Sequence, residues 1–275
     1  MRLKFLLITF LLLLTVFPAG AYWHTKQIDI TDGLSQPSIT AITSDNKGII
    51  WIGTRFGLQK YRNGTLKTYT DTGEENPMIT GNQVSFLFRQ ADGTLWVSTD
   101  RGLSHYNESE DRFELIRSEA ILCALETPDC IWFGGYEGLL IYDKASGVAE
   151  RLTLDTDGTP LVVTGIFSVG PGRLLALGRT PVLVSIDIKS RALEQRPITG
   201  MDGQMIQNGI LYGGRLYLSV FREGIVQADP ISGNVLRYWN SGNSGLTFDV
   251  AMFIIITSAS ATALFAQPLI LNPIQ

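Results

Sequence analysis

The chain has 275 residues and carries 22 Lys and Arg residues against 26 Asp and Glu residues, a formal net charge of −4. Because this balance is acidic and no basic stripe runs along the sequence, we exclude a nucleic acid as its partner. The two histidines, His24 and His105, lie far apart, and neither has a cysteine or carboxylate at metal-ligand spacing. We therefore expect neither a metal site nor a bound cofactor.

Residues 1–21 are predicted to be a secretion signal. Their positively charged start precedes an apolar run over residues 5–17, and Ala19 and Ala21 form the small-x-small pattern that a signal peptidase reads. This run is short for a membrane-spanning helix, which needs about 20 residues. We expect cleavage before Tyr22 and export to the periplasm, with membrane anchoring through residues 5–17 as the alternative.

One pattern recurs five times along the rest of the chain: a Trp-type residue, a glycine about six residues later, and a Tyr-type residue four further on. The clear copies are Trp51, Gly57 and Tyr61, then Trp96, Gly102 and Tyr106, then Trp132, Gly138 and Tyr142. Two degraded copies follow, at Leu175, Pro181 and Ser185 and at Tyr217, Gly224 and Ala228. The anchors lie 36 to 45 residues apart, and a period of about 40 in a strand-rich sequence is typical of a β-propeller.

The first copy shows the strands that one repeat contains. Residues 38–42 alternate polar and apolar side chains, residues 49–53 form an apolar, β-branched run, and turn residues separate the two. Two further strands lie on either side of Asn63-Gly64, which is a strong hairpin signal. The predicted fold is therefore an all-β propeller of four-stranded blades. The five predicted blades lie at about residues 38–75, 79–117, 119–155, 161–197 and 205–240.

The repeated aromatic and glycine residues have a structural explanation that we prefer to a functional one. A tryptophan between neighbouring blades buries a large flat group and stabilises the fold by roughly 3 kcal/mol; ligand stacking is the alternative. A glycine after the second strand allows a backbone geometry that other residues disfavour. The residues assigned these structural roles are Trp51, Trp96, Trp132, Gly57, Gly102 and Gly138.

Cys123 and Cys130 are the only cysteines, and both lie around the first hairpin of the third predicted blade. An exported protein can form a disulfide, and the short separation suits a bridge across that hairpin. Two buried free thiols are the alternative, because cysteine also packs as a small apolar residue.

The two ends of the repeat region predict an incomplete ring. Residues 22–30 alternate like an outer strand but have no partner repeat in the chain. Residues 251–275 carry no charge and follow a segment that resembles the opening of a new repeat. We expect this tail to be a degenerate sixth repeat that begins with a strand, and a membrane helix is the alternative. A closed propeller would instead pair its first and last strands in one blade.

The repeat resembles the two-component regulator propeller. The similarity is carried by Gly-Leu-Ser-Gln-Pro-Ser-Ile at 33–39 and by Asp-Asn-Lys-Gly-Ile-Ile-Trp-Ile-Gly-Thr at 45–54, and residues 92–103 match the same pattern. The resemblance implies the extracytoplasmic sensor portion of a hybrid histidine kinase of gut Bacteroidetes. In that family the propellers precede a β-sandwich, a membrane helix and a kinase core. Because the sequence holds no phospho-accepting histidine motif and no nucleotide-binding glycine loop, the resemblance implies a sensing module without enzymatic activity.

For such a sensor we expect the ligand to be a small glycan fragment, and the resemblance also implies a homodimer of the full-length protein. The loops between the second and third strands share one face with the links between blades. They combine arginine with aromatic residues, which suits sugars or carboxylated sugars. The candidate ligand-binding residues are Arg55, Phe56, Asp100, Arg101, Tyr136, Glu137, Arg179 and Arg222.

Two other functions stay open at this point. Propellers also carry lyases and glycoside hydrolases, and the carboxylates available for such chemistry are Asp100, Glu137, Asp187 and Glu223. No two of them recur in a setting that would raise one pKa and leave the other group ionised. A protein-interaction scaffold is the second alternative, because the fold alone does not decide the function.

Overall fold

The structure is a computed structural model that describes residues 27–45, 47–75, 77–156 and 158–244, together with the backbone of strands at 253–256 and 263–266. The predicted secretion signal and most of the uncharged tail lie outside these residues. Within the described part the regular structure is β, apart from one short 3₁₀ helix at Ile30–Asp32.

Five antiparallel sheets of four strands follow one another along the chain. The first contains β1 (Ile39–Ser44), β2 (Ile50–Thr54), β3 (Gly57–Arg62) and β4 (Thr65–Tyr69). The second contains β5 (Val84–Arg89), β6 (Leu95–Thr99), β7 (Gly102–Asn107) and β8 (Arg112–Arg117). The third contains β9 (Ile121–Glu126), β10 (Cys130–Gly135), β11 (Gly138–Asp143) and β12 (Ala149–Leu152).

A small hairpin of β13 (Asp155–Thr156) and β14 (Thr159–Pro160) joins the third sheet to the fourth. The fourth sheet contains β15 (Val163–Gly170), β16 (Arg173–Gly178), β17 (Val182–Asp187) and β18 (Leu193–Pro197). The fifth contains β19 (Ile206–Tyr212), β20 (Arg215–Val220), β21 (Gly224–Ala228) and β22 (Val235–Trp239). In every sheet the strand order is the chain order, so each sheet is a meander, and the predicted all-β fold with five repeats is confirmed.

The sheets pack one on the next through their faces. The first strand of each sheet contacts the first strand of the following one, in the order β1, β5, β9, β15 and β19. A buried apolar cluster lies at each of the four junctions between consecutive sheets. This arrangement is that of consecutive propeller blades around a common axis.

The tryptophan anchors lie at these junctions, on the second strand of their sheets. Trp51, Trp96 and Trp132 are exposed by no more than 2%. The tyrosine of the next repeat packs edge-on against the first two: Tyr106 lies 4.9 Å from Trp51 and Tyr142 lies 4.8 Å from Trp96, between ring centroids. The repeated Trp and Tyr side chains therefore pack neighbouring sheets against each other, which fits the structural role predicted for the tryptophans.

The repeated glycine begins the third strand, where the backbone requires it. Gly57 has a φ of 108°, and a Cβ added there would lie 2.6 Å from the carbonyl oxygen of Tyr69 on the outer strand. Gly224 has a φ of 90° and would meet the carbonyl oxygen of Trp239 in the same way. Both the left-handed backbone and the close outer strand exclude a side chain.

A second repeat, which the sequence analysis did not identify, shapes the turns between the third and fourth strands. An aspartate accepts hydrogen bonds from the backbone N–H and the hydroxyl of a serine three residues later. The three pairs are Asp143 with Ser146, Asp187 with Ser190, and Asp229 with Ser232. Such side-chain bonds to the backbone hold tight turns. The spacing Asp-x-x-Ser was available in the sequence as a signal.

The segment before the first sheet differs from its prediction. Residues 22–30 were expected to form an outer strand, but residues 27–29 are irregular and the chain then enters the 3₁₀ helix. Asp29 caps this turn by accepting from the N–H of Thr31, and Asp32 accepts from the N–H of Asp29 in return. Local capping by aspartate therefore replaces the strand in the part of this segment that is described.

Of the two alternatives for Cys123 and Cys130, the structure has the free thiols and not the disulfide. In the hairpin of β9 and β10, Cys123 is paired with Gly134, whereas Cys130 lies at the turn end of β10. The Cys123 thiol contacts the backbone carbonyl of Gly134 instead. The two cysteines are thus not cross-strand neighbours, which a bridge across this hairpin would need.

In the tail, β23 (Phe253–Ile256) and β24 (Ala263–Ala266) form an antiparallel pair. The backbone of β23 lies beside β19, in the position that a first strand of a sixth sheet would take. These eight residues are strand and not membrane helix. Among the described residues, no helix has the length and apolar character needed to cross a membrane.

Candidate functional site

We define the loop face as the surface formed by the loops between second and third strands and by the links between sheets. Backbone hydrogen bonds join the two kinds of segment: Gly57 donates to Asn82, Asp100 to Gln83, and Phe221 to Met205. The loops are short and follow a second strand whose last residues are buried, so their side chains are held on a rigid frame. This face therefore presents the predicted binding residues on ordered backbone.

Two open clefts lie side by side on the loop face, near the first three sheets. The first has a volume of about 460 Å³, and its lining includes Arg55, Phe56, Asp71, Asp100 and Arg101. The second has a volume of about 540 Å³, and its lining includes Thr40, Arg55, Gln83, Ser85, Asp100 and Tyr136. Arg55, Gln83 and Asp100 belong to both, so the two clefts share a wall. Their volumes are in the range of about 300–1,000 Å³ typical of small-molecule sites.

Arg101 forms an ion pair with the link between the first two sheets. Its guanidinium lies 2.8 Å from Oδ2 of Asp71, whose side chain is only 6% exposed. The same carboxylate accepts from the backbone N–H groups of Gly73 and Gly81. The hydrogen bonds from Gly81 and then Gly73, with the contribution of Arg101, hold the pKa of Asp71 below its usual range against the opposing effect of desolvation. Arg101 is therefore committed to holding this link in place.

Arg55 lines the same cleft but, unlike Arg101, has no partner among the described residues. Its side chain is exposed, and it makes no hydrogen bond or ion pair with any residue that the structure describes. Its neighbour Phe56 is 62% exposed, although its backbone is fixed by a hydrogen bond from its N–H to the hydroxyl of Thr54. An unpaired guanidinium and an exposed ring therefore stand together at the cleft rim.

Asp100 and Tyr136 provide the polar and aromatic walls of the second cleft. One oxygen of Asp100, Oδ1, accepts from the backbone N–H of Gln83. Tyr136 is 49% exposed, and the guanidinium of Arg179 lies 5.7 Å from the centre of its ring. Arg179 thus supports Tyr136 by a cation–π contact, although it does not line either cleft.

The structure does not bring the other two predicted residues into the clefts. Glu137 forms an ion pair of 2.5 Å with Arg151, which also binds Glu119 at 2.8 Å. Arg222 lies over the ring of its neighbour Phe221, 5.2 Å from the ring centre. The predicted set therefore divides into cleft residues, one supporting arginine and two residues elsewhere.

Sequence reasoning missed Thr40, Asp71, Gln83 and Ser85. They lie on a first strand or on a link between sheets, where no repeat marks them. The hydroxyl oxygen of Thr40 is buried and has no hydrogen-bond partner in the described part of the chain. A buried hydroxyl without a partner is costly in a folded protein unless a ligand or water pairs with it. Only the packing of consecutive sheets brings these residues beside Arg55.

The carboxylates considered for hydrolysis do not form a catalytic pair. Among the four proposed, only Asp100 lines a cleft, and Asp187 lies in a turn at the opposite end of its sheet. The second acid in the first cleft is Asp71, whose pKa is lowered, whereas a general acid needs a raised pKa. Within the residues described, no group of three or more ligating side chains could hold a metal ion.

Comparison with known proteins places residues 33–56 in the two-component regulator propeller family. A 54-residue segment is 41% identical to a histidine kinase P4 of Formosa agariphila, over 20% of this chain and 4% of that protein. The chain therefore spans only a small part of this relative's length.

Solved structures from two bacteria are among those that share this fold. The extracellular domain of a hybrid two-component system of B. thetaiotaomicron superposes with a TM-score of 0.57 and 17% identity, over 85% of this chain and 39% of that chain. PorZ, a surface component of the type-IX secretion system of Porphyromonas gingivalis, gives 0.59 and 11%, over 80% and 36%. A second B. thetaiotaomicron extracellular domain gives 0.52 and 12%, over 86% and 40%.

The identity to these structures is low, so they demonstrate the fold alone, and the likeness to the two-component regulator propeller rests on the repeat at residues 33–56. The repeat at 33–56 contains the first tryptophan anchor and the arginine shared by both clefts. This chain carries the two-component regulator propeller repeat in a fold shared with extracellular domains of hybrid two-component systems.

Proposed function

We propose that this chain is an extracytoplasmic ligand-sensing module of a two-component signalling protein, and that it recognises a glycan fragment on the loop face. The observation that carries the proposal is the pair of adjoining clefts, in which Phe56 and Tyr136 expose aromatic rings beside Arg55 and Asp100. Exposed rings stack on sugar rings, and fixed charged groups bind their hydroxyls.

The predicted export places these clefts outside the cytoplasm, where a sensor meets its ligand. The extracellular domains with the same fold support this location. The arrangement also favours binding over catalysis, because hydrogen bonds hold the pKa of Asp71 below its usual range, whereas glycoside hydrolysis requires an acid with a raised pKa. Signal output by a kinase would lie in other domains of the full-length sensor.

A glycan screen tests this proposal. A binding ligand raises the melting temperature of the protein, because it stabilises the folded state by mass action. We expect a shift with at least one oligosaccharide, and we expect Tyr136→Ala to lose that shift. Chromatography of the same mixtures shows whether the sugar is cleaved: unchanged sugar supports a sensor, and turnover would instead establish an enzyme.

A further inference from the structure

We propose that the two clefts select an acidic sugar and that Arg55 binds its carboxylate. The inference rests on the proposed function, since it names the chemical class of the glycan sensed at that site. It follows from what each charged residue of the loop face already binds, and not from the composition of the loops.

The loops between second and third strands contain four arginines, and the structure gives three of them a partner. Arg101 pairs with Asp71, Arg179 lies over the Tyr136 ring, and Arg222 lies over the Phe221 ring. Arg55 has no such partner among the residues described, and it lines both clefts. Its guanidinium donors are therefore directed to solvent or to a ligand.

A guanidinium binds a carboxylate through two parallel hydrogen bonds, which gives both affinity and orientation. The nearby charges restrict the anion further. Asp100 lines the same two clefts and keeps one carboxylate oxygen beyond its bond to Gln83, so it repels a ligand with many negative charges. Because Arg101 and Asp71 neutralise each other as an ion pair, Arg55 and Asp100 remain as one cation beside one anion, which fits a ligand that has one carboxylate and several hydroxyl donors. A uronic acid within an oligosaccharide has this chemistry.

The second cleft supplies the remaining contacts of a sugar. Tyr136 forms an aromatic wall, and the guanidinium of Arg179 lies against its ring. Asp100 lines the same cleft, and its carboxylate oxygen beyond the bond to Gln83 can accept hydrogen bonds from sugar hydroxyls. Together with Arg55, these groups would bind the carboxylate, the ring face and the hydroxyls of one uronic acid unit.

The test uses oligosaccharides that contain a uronic acid, each paired with its carboxyl-reduced neutral counterpart. Titration calorimetry is done on the protein, on Arg55→Gln, and on the matched control Arg62→Gln. Arg62 is an exposed arginine at the opposite end of β3, so its variant removes the same charge far from the clefts. We expect the best acidic sugar to bind at least about tenfold more tightly than its reduced form, since charge-assisted bonds exceed neutral ones in strength.

Arg55→Gln should abolish this preference, whereas Arg62→Gln should keep it. Equal binding of both forms, insensitive to Arg55→Gln but weakened by Tyr136→Ala, would overturn the acidic specificity and leave glycan sensing intact. Equal losses in Arg55→Gln and Arg62→Gln would indicate non-specific charge attraction and would also overturn it. Failure of both sugar panels to bind would overturn the inference together with the proposed function.

Discussion

Arg191 of the fourth sheet lies over the buried ring of Trp132 in the third, with its guanidinium carbon 4.4 Å from the ring centre. At the two preceding junctions a tyrosine covers the tryptophan of the sheet before it. The fourth repeat has Ser185 at the tyrosine position, so an arginine from its outer turn has taken over this contact. The degraded repeat thus retains the packing of the junction by a different residue.

Removing this contact should weaken the third junction. Arg191 has a left-handed φ of 61°, whereas Gly147 and Gly233 occupy the corresponding turn positions in the neighbouring sheets. We expect Arg191→Ala to lower the free energy of unfolding by about 1–2 kcal/mol through loss of the cation–π contact. Arg191→Gly should cost less, since glycine relieves the backbone strain that alanine keeps. Urea unfolding measures both, and equal losses would contradict the role of the backbone.

A polar network at the first junction predicts acid sensitivity. Asp111 accepts from the hydroxyls of Tyr69 and Tyr106 and pairs with Lys67. Desolvation opposes ionisation, but the bonds from Lys67, Tyr106 and Tyr69 outweigh it and lower the pKa of Asp111. Because the folded pKa lies below the unfolded value of about 3.9, this contribution is complete above that pH and is lost as pH falls toward the folded pKa.

Asp111→Asn should therefore be less stable than the wild type at pH 7 by about 1 kcal/mol, a modest value because the Asp111 side chain is 42% exposed and screened by solvent. The difference should shrink between about pH 4 and pH 2. Chemical unfolding at several pH values measures it. A difference that stays constant across this range would show that ionisation of Asp111 does not stabilise the junction.

The glycine at the start of the third strand can be tested against a matched glycine. Both Gly57 and Gly64 have a left-handed backbone, with φ of 108° and 85°. A Cβ at Gly57 would also clash with the carbonyl oxygen of Tyr69, whereas a Cβ at Gly64 would meet open space. We expect a loss of about 1 kcal/mol for Gly64→Ala and clearly more, about 2–4 kcal/mol, for Gly57→Ala. Thermal unfolding compares the two, and equal losses would exclude the steric contribution.

The two residues of the Arg101–Asp71 ion pair in the first cleft should contribute unequally to the stability of the fold. Asp71→Ala leaves the N–H groups of Gly73 and Gly81 without their partner, which we expect to cost about 2–3 kcal/mol. Arg101→Ala removes a guanidinium that is 62% exposed and should cost about 1 kcal/mol or less. Urea melts of both variants decide, and a larger loss for Arg101→Ala would refute this assignment.

The thiols provide a direct test of the absent disulfide. Burial raises the pKa of Cys123 to about 12, and Cys130 is 7% exposed, so both should react slowly with iodoacetamide in the folded protein. After denaturation without reductant, mass spectrometry should find two added groups. A product without added groups, which gains two only after reduction, would establish the bridge.

The sequence by itself determined the repeat and the fold class. Trp51, Trp96 and Trp132 at regular spacing indicated sheets that bury one large ring each, and turn residues such as Asn63-Gly64 marked the hairpins. These signals are local, because strand alternation and turn geometry depend on residues close in the chain. For the same reason the sequence predicted the loops that form the loop face.

Only the tertiary structure decided which loop residues are available to a ligand. Arg55, Arg101 and Arg179 look alike in the sequence, but Arg101 binds Asp71, Arg179 lies over the ring of Tyr136, and Arg55 stays unpaired among the described residues. The pairing register also separates Cys123 from Cys130, which sequence spacing had suggested as a bridge. Partners of this kind come from other segments of the chain, and their positions depend on how the strands pair and the sheets pack.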